Sequence, residues 1–345
     1  MKIALDAMGS DNFPQPDVEG AVAAAREYGE EVLLIGDEKI VSPVLEKLKP
    51  GNLPIRIIHA PEMLTMEEKG LALALKAKQK EPKTSMAIGV DLVKEGKADA
   101  FVTMGNTGAA AAIAFFRLGM LPGIERPALA PVFPTRKGFC VVLDIGINPD
   151  IRPQNLVEFA IMGAIYTESV RGVKRPRVAL LSNGEETGKG NFLVREATPL
   201  LKAGPLNFIG NVEPKEVFAG AVDVAVTDGF SGNIFLKSSE AVAKMITDMI
   251  KDKIQSASLP VKIGGLLVRP ALADIRKMLN PSEEGAAPLL GVDGLVFIGH
   301  GRSDARAVQS AVRVAAQAAR SGMQDLIRRE IARRGPDDAK TGGVG

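Results

Sequence analysis

The chain predicts an α/β protein built on a mostly parallel sheet, and three observations carry that reading. Short apolar runs of strand character alternate with helical patterns from the N-terminus onward, an order that calls for crossover connections. The 345 residues are 46% hydrophobic, enough to bury a substantial core in one large or two smaller units. Six of the turns that punctuate the chain are polar and rich in glycine: DAMGSDN (6–12), TMGNTGA (103–109), DIGIN (144–148), SNGEETGKGN (182–191), TDGFSGN (227–233) and GHGRSD (299–304). Ligands of open α/β sheets bind beyond the carboxyl ends of strands, where glycine admits a close backbone and helix N-termini favour anions. The repeated turns therefore predict one rim of a sheet built as an anion-friendly site.

The elements follow in order. KIALDAM (2–8) reads as the first strand, and an alanine-rich helix opens near Val18 after Pro14 and Pro16. EVLLIGD (31–37) and IRIIHAP (55–61) are strands around a helix near 42–49, and 62–82 reads as a loosely amphipathic helix. Ser85–Glu95 is helical and feeds the strand 98–105, after which Asn106, Thr107 and Gly108 open a helix of small residues. RPALAPVFPT (126–135) is interrupted by proline and should wrap an edge. GFCVVLDIG (138–146), RVALLSNG (177–184), LNFIGNVE (206–213) and VDVAVTDG (222–229) read as buried strands, with a long helix over 155–170. A helical stretch should begin near Ile234 and run to Leu279. Beyond Pro281 come a loop, one strand, the GHGRSD turn and a single helix over 305–334. No fixed-period repeat or convincing linker interrupts the pattern. The expected organisation is one α/β domain over 1–335, with a helical, partly amphipathic excursion at about 238–281 and a disordered tail at 336–345.

Composition excludes several classes. A net charge of +2, no Trp and two Tyr leave little for a polyanion-coating or base-stacking protein, so no nucleic acid is expected. The one cysteine, Cys140, lies in a buried-strand pattern and reads as a core residue in a reducing compartment. His59 and His300 lack metal-ligand spacing, so no metal site is expected. The N-terminus meets Asp6 too early for a signal-peptide apolar region, and no run of about twenty apolar residues offers a membrane span.

The familiar catalytic fingerprints are missing: no GxGxxG dinucleotide turn in its βαβ setting, no GxxxxGK(S/T) and no GxSxG elbow. What remains is the glycine- and asparagine-rich rim. Its candidate substrate- and phosphate-binding residues are Asp6, Gly9, Asn106, Thr107, Gly108, Asp228, Gly229, Ser231, Gly232, His300 and Gly301, with Asp11, Arg302 and Asp304 nearby. Asp, Asn and Ser also favour such positions as turn formers and caps, so the weight rests on their repetition. Lys189 and Asn233 are the sharpest candidates for catalysis. A lysine between two glycines can reach an anion as a point charge, and an amide at a helix start can orient an oxyanion or a phosphate oxygen.

These turns also carry a resemblance. MKIALDAMGSDNFP, GNTGA, LDIGIN, NGEETGKGN, FIGNVE, VTDGFSGN and GAAPLLGV with GHGRSD resemble, in collinear order over about 1–320, the signatures of the bacterial phosphate acyltransferase (PlsX) family. Ser10, Ser182-Asn183 and Arg302 depart from the family's usual residues. The resemblance implies transfer of a long-chain acyl group from acyl carrier protein to inorganic phosphate, giving acyl phosphate for phospholipid synthesis. It implies a Rossmann-like α/β/α sandwich related to isopropylmalate dehydrogenases and phosphate acetyltransferases, acting as a cytoplasmic homodimer without cofactor or metal. A downstream acyl-phosphate glycerol-3-phosphate acyltransferase would take the product. Matching motifs carry the family's proposed site lysine and asparagine onto Lys189 and Asn233. Two other readings of the same rim are an isopropylmalate-dehydrogenase-like oxidoreductase and a non-catalytic regulator that binds phosphate or acyl ligands.

The stretch 251–279 carries six basic residues against two acidic ones, interleaved with apolar side chains. It suits dimer packing, docking of acyl carrier protein through complementary charge, or shallow contact with an anionic leaflet. Gly264, Gly265 and Pro270 should break it into two short helices with Leu266, Leu267 and Val268 at an exposed tip. The resemblance favours reversible peripheral contact with the inner face of the cell membrane through that tip.

Overall fold

Strands fall into two sheets rather than one. In the computed structural model, which describes residues 1–64, 77, 79, 81–186, 188–264, 267, 268, 270 and 280–333, the first sheet runs β3 (Ile55–His59), β2 (Glu31–Gly36), β1 (Lys2–Asp6), β4 (Ala100–Thr103), β12 (Val296–Gly299), β11 (Ala286–Leu290) and β5 (Ala128–Leu129). The second runs β6 (Val132–Thr135), β7 (Gly138–Leu143), β10 (Val224–Val226), β8 (Val178–Leu181) and β9 (Phe208–Val212). Pairing is parallel from β3 to β12 and from β7 to β9, while β11, β5 and β6 are antiparallel additions. Asp6 lies opposite Ile35 and Val226 opposite Leu143, so neighbouring strands end together and their outgoing turns share a rim.

The helices are α1 (Gln15–Tyr28), α2 (Glu38–Lys47), α3 (Ser85–Lys94), α4 (Thr107–Leu118), α5 (Pro153–Ser169), α6 (Phe192–Lys202), α7 (Pro214–Ala219), α8 (Gly229–Ser256), α9 (Ala305–Ser321) and α10 (Met323–Arg333). Their starts follow capping chemistry: Asp37, Asn106, Asn191, Asp228 and Asp304 each accept a backbone N–H from the first turn of the helix they precede. Small residues let α1 and α9 pack closely, for a Cβ on Gly20 would lie 2.4 Å from Val308. One cluster of buried side chains extends from Ile3, Leu34 and Val102 through Phe159 and Tyr166 of α5 to Val141, Leu180 and Val224. Cys140 is fully buried in β7 and its thiol is pushed up to about 12 by desolvation, as a core residue should be.

The proline-interrupted run 126–135 does wrap an edge, in fact two. Its first half is β5, at the margin of the first sheet, and its second half is β6, at the margin of the second. Four other expectations are corrected. The final helix breaks at Gly322, whose left-handed φ of 67° closes α9 before α10 begins. AAPLL (286–290) forms a second strand after Pro281, antiparallel to β12. Helices α6 and α7 fill stretches to which the sequence reading assigned no element. Helix α8 begins at Gly229, five residues before the apolar pattern becomes regular, because Asp228 caps it. Most of the expected helix at 62–82, the tip residue Leu266 and the tail at 336–345 lie outside the described residues.

Candidate active site

Three of the six glycine turns leave the first sheet and three leave the second. On the first sheet the turns after β1, β4 and β12 touch one another. Asp6 is buried and accepts hydrogen bonds from Thr103 Oγ1 at 2.8 Å and from the Met8 N–H at 3.1 Å. Desolvation raises its carboxyl above the usual range, more than those hydrogen bonds lower it. It therefore staples the turn from beneath. Gly9 is buried where a Cβ would meet Asp6 Oδ2 and Thr103 Oγ1 at 2.9 Å, so its glycine answers to packing. The Asp11 N–H donates to the Gly301 carbonyl at 2.6 Å, tying the first turn to the last. Asn106 caps α4 by accepting from the Ala109 N–H, leaving Thr107 and the exposed Gly108 at the helix start. His300 is exposed on the rim, 3.7 Å from Glu240 of α8. Desolvation lowers its pKa, with Lys237 and Arg302 acting in the same direction against Glu240.

On the second sheet Asp144 is the hub. It is fully buried, and its carboxylate accepts from the N–H groups of Leu129 at 3.1 Å, Ile147 at 3.1 Å and Asn148 at 2.7 Å, and from Asn148 Nδ2 at 2.9 Å. The bond from Leu129 reaches across from β5, so this one carboxyl joins the two sheets. Burial raises its pKa despite those donors. The start of α8 is fitted against the same turn: the Gly229 N–H donates to the Asn148 carbonyl at 2.8 Å, and a Cβ on Gly232 would fall 2.0 Å from the Asp144 carbonyl oxygen. Gly229 and Gly232 thus serve close packing, and Asp228 serves as cap, accepting from the Ser231 N–H at 2.8 Å. Asn233 lies exposed beside Gly146, where a Cβ would stand 3.7 Å from its amide. The sequence reading named Asp144 only as a strand end; its place in DIGIN before a second turn residue, Asn148, was the available signal.

Lys189 sits in the turn between β8 and α6. Gly188 and Gly190 on either side have φ of 96° and 97°, a region open mainly to glycine, and they hold the lysine outward on a sharp bend. Asn183 Oδ1 accepts from the Gly190 N–H at 3.1 Å, and Asn211 Nδ2 donates to the Lys189 carbonyl at 3.3 Å, so the loop is pinned while the side chain stays exposed.

A cavity of about 1090 Å³ lies between α8 and α6. Gly190 and Asn191 from the Lys189 turn, and Asp228, Ser231 and Ile234 from the start of α8, line one end, so it brings together the neighbours of both catalytic candidates. None of the first-sheet turns lines it. Helix α8 spans the gap with two faces. Ser231, Ile234, Phe235, Ser238, Val242 and Ile246 face the cavity, while Asn233, Lys237 and Glu240 follow at helical spacing on another face, where Glu240 meets His300. The apolar walls come from segments far apart in sequence and were not anticipated. Among the described residues one acidic cluster could suggest a metal, Glu185, Glu213 and Glu216, but Lys215 Nζ already stands 2.9–3.5 Å from all three.

Two open, mostly parallel sheets carry glycine turns at their carboxyl ends, and an apolar cavity lies beside one set of turns, the place where open α/β enzymes bind their ligands. The fold is similar to that of a phosphotransacetylase from Streptococcus pyogenes, with a TM-score of 0.60 at 21% identity over 92% of this chain and 94% of that one. The family model described as "Fatty acid synthesis protein" matches residues 1–326. The phosphate acyltransferase of Acidobacterium capsulatum is 46% identical over 96% of this chain and 97% of its own length, and that of Koribacter versatilis 49% identical over 96% and 92%. The chain belongs to this phosphate acyltransferase family, and it is an acyltransferase. The dehydrogenase and the non-catalytic readings give way to that assignment.

Proposed function

We propose that the enzyme transfers a long-chain acyl group from the thioester of acyl carrier protein to inorganic phosphate, supplying acyl phosphate for phosphatidic acid synthesis. A phosphate oxygen attacks the thioester carbonyl, the C–S bond breaks, and the carrier-protein thiolate leaves and takes up the proton that phosphate gives up. Phosphate is already a nucleophile at neutral pH, so no activated Ser or Cys is required; the task is to hold two partners in line. Such positioning can supply up to about 7–11 kcal/mol. Lys189 seats phosphate with backbone N–H groups of the glycine turns, and Asn233 orients it or the developing oxyanion. The observation that carries this reading is that the Lys189 turn and the first turns of α8 meet at one end of the same cavity, through Gly190, Asn191, Ser231 and Ile234, with Lys189 and Asn233 themselves beside it rather than in its lining.

The reaction needs neither metal nor organic cofactor. On the same reading the enzyme is a cytoplasmic homodimer that hands its product to an acyl-phosphate glycerol-3-phosphate acyltransferase. It touches the inner face of the cell membrane reversibly through Leu266, Leu267 and Val268; Leu259 and Leu267 are 71% and 77% exposed, as such a tip requires. Among the described residues no helix is long and apolar enough to cross a membrane. The deciding experiment follows thiol release from palmitoyl-acyl carrier protein without added metal or nucleotide. Release that depends on phosphate and yields hydroxylamine-trappable acyl phosphate is expected. Release without phosphate, or none from the folded protein, overturns the reading.

A further inference from the structure

The cavity beside α8 has two chemically different ends. At the start of the helix Asp228 and Ser231 face Ser182 and Asn183 of the opposite turn. Ser182 lines this end, and among the described residues its hydroxyl is buried without a hydrogen-bond partner, so this end is polar where the rest of the groove is not. From Ile234 onward the walls are predominantly apolar. Phe235 stacks against Phe133 and Phe218, with ring centroids 5.1 and 5.3 Å apart, and makes a firm floor. Further along, Val242 and Ile246 are each about half exposed, at 50% and 49%, and line the cavity. From Ser231 to Thr247 the lined stretch of helix is about 24 Å long. An occupant that satisfies both ends has a carbonyl-bearing head and a long unbranched apolar tail.

We propose that this groove holds the fatty acyl chain of the substrate, carbonyl towards Ser182 and tail along α8, and that Val242 and Ile246 set the chain length accepted. The inference rests on the acyl-transfer reading above and adds to it the residues that select among acyl donors. Val242 and Ile246 are one turn apart, about 6 Å along the helix axis. That distance is on the order of five methylenes of an extended chain built from C–C bonds of about 1.5 Å. A bulky side chain at Ile246 blocks the far end of the groove; at Val242 it blocks the groove one turn sooner. Each methylene displaced into water weakens binding about fourfold.

The test compares octanoyl-, dodecanoyl- and palmitoyl-acyl carrier protein as donors for wild type, I246W and V242W. The control is K244W, on the other side of the helix. Expected is a fall of about fifteenfold or more in the palmitoyl-to-dodecanoyl ratio of kcat/KM for I246W, and for V242W a fall in the dodecanoyl-to-octanoyl ratio as well. The control should keep the wild-type ratios. Both groove variants retaining wild-type ratios, or K244W changing them equally, overturns the proposal. A second readout is the fluorescence of bound cis-parinaric acid without phosphate or carrier protein, which should be weakened by both groove variants and not by the control. Loss of that binding while wild type turns over no donor supports the groove and sinks the transferase reading. Turnover and fatty-acid binding that ignore the groove variants do the reverse.

Discussion

Replacing Gly232 by alanine sets two known effects against each other. Alanine in a helix interior is favoured over glycine by about 1 kcal/mol, so local propensity alone says that the variant gains stability. The structure says otherwise. The added Cβ would stand 2.0 Å from the Asp144 carbonyl oxygen and 3.0 Å from Thr227 Cγ2. The nearer atom is backbone, held in a turn that the Asp144 carboxylate fastens through Ile147 and Asn148, and it cannot swing away as a side-chain tip would. Relief requires α8 to lift by roughly an ångström, and overpacking of this kind costs about 1–3 kcal/mol. A backbone clash at 2.0 Å belongs at the upper end of that range, so the clash should win, leaving a net loss of up to about 2 kcal/mol in urea or thermal unfolding. Activity should suffer more, because the next residue is Asn233, and misplacing a reacting group by about 1 Å can cost on the order of a hundredfold. Gly264 is the control: contrary to the expected helix break there, residues 259–264 are helical, and open space lies where the Cβ would go, so G264A should be neutral or slightly stabilising. A G232A protein as stable and as active as wild type would refute the reasoning.

Other outcomes follow from the same geometry. K189A and N233A should each lower acyl phosphate formation about a hundredfold or more with unfolding curves unchanged, since both side chains are exposed; near-normal turnover in both removes them from the chemistry. Asp17 is buried, and desolvation is the main reason that its pKa rises from 3.8 to about 7, with its hydrogen bond from Ser10 working against the rise. The folded chain therefore keeps a proton that the unfolded chain releases. This group's contribution is full below pH 3.8 and is lost as pH rises to about 7, a loss on the order of 4 kcal/mol. D17N should flatten that part of the stability curve between pH 4 and pH 8, measured by urea unfolding; a parallel curve would show that Asp17 is ionised throughout. Cys140, buried and with its thiol pushed up to about 12, should react with a thiol reagent only on unfolding. Labelling of the native protein within minutes would contradict its placement.

The strands were legible because each is a short apolar run closed by a turn: Ile3–Leu5, Val141–Leu143 and Val224–Val226 announce themselves without any partner. Which strand pairs with which was not legible. Thr103 and Ile298 lie side by side although the whole second sheet separates them in sequence, and no local pattern records that pairing. The glycine turns were read correctly as rims of strands, but their glycines were credited to a ligand. Gly9, Gly229 and Gly232 are there because Asp6, Asn148 and Asp144 leave no room for a Cβ. The early start of α8 was hidden for the same reason, since GFSGN has the composition of a turn and becomes a helix only because Asp228 caps it against the Asp144 turn. Lys189 stood out because two glycines isolate it, and the bend that they make is local. The cavity could not be read, for its walls are gathered from α5, α6, α7 and α8.

The strand order has a consequence for how the protein is made. On the ribosome, β4 emerges with β1, β2 and β3 already available, but the strand that covers its free edge is β12, and the whole second sheet is encoded between them. At about 5–20 residues per second that edge waits on the order of ten to forty seconds. During that time it is an unprotected template for pairing with another chain. The second sheet, whose strands all lie between 132 and 226, can complete itself within that interval. The half of the molecule begun first is thus the half finished last, and the nascent chain needs shielding at β4 until its C-terminal segment arrives.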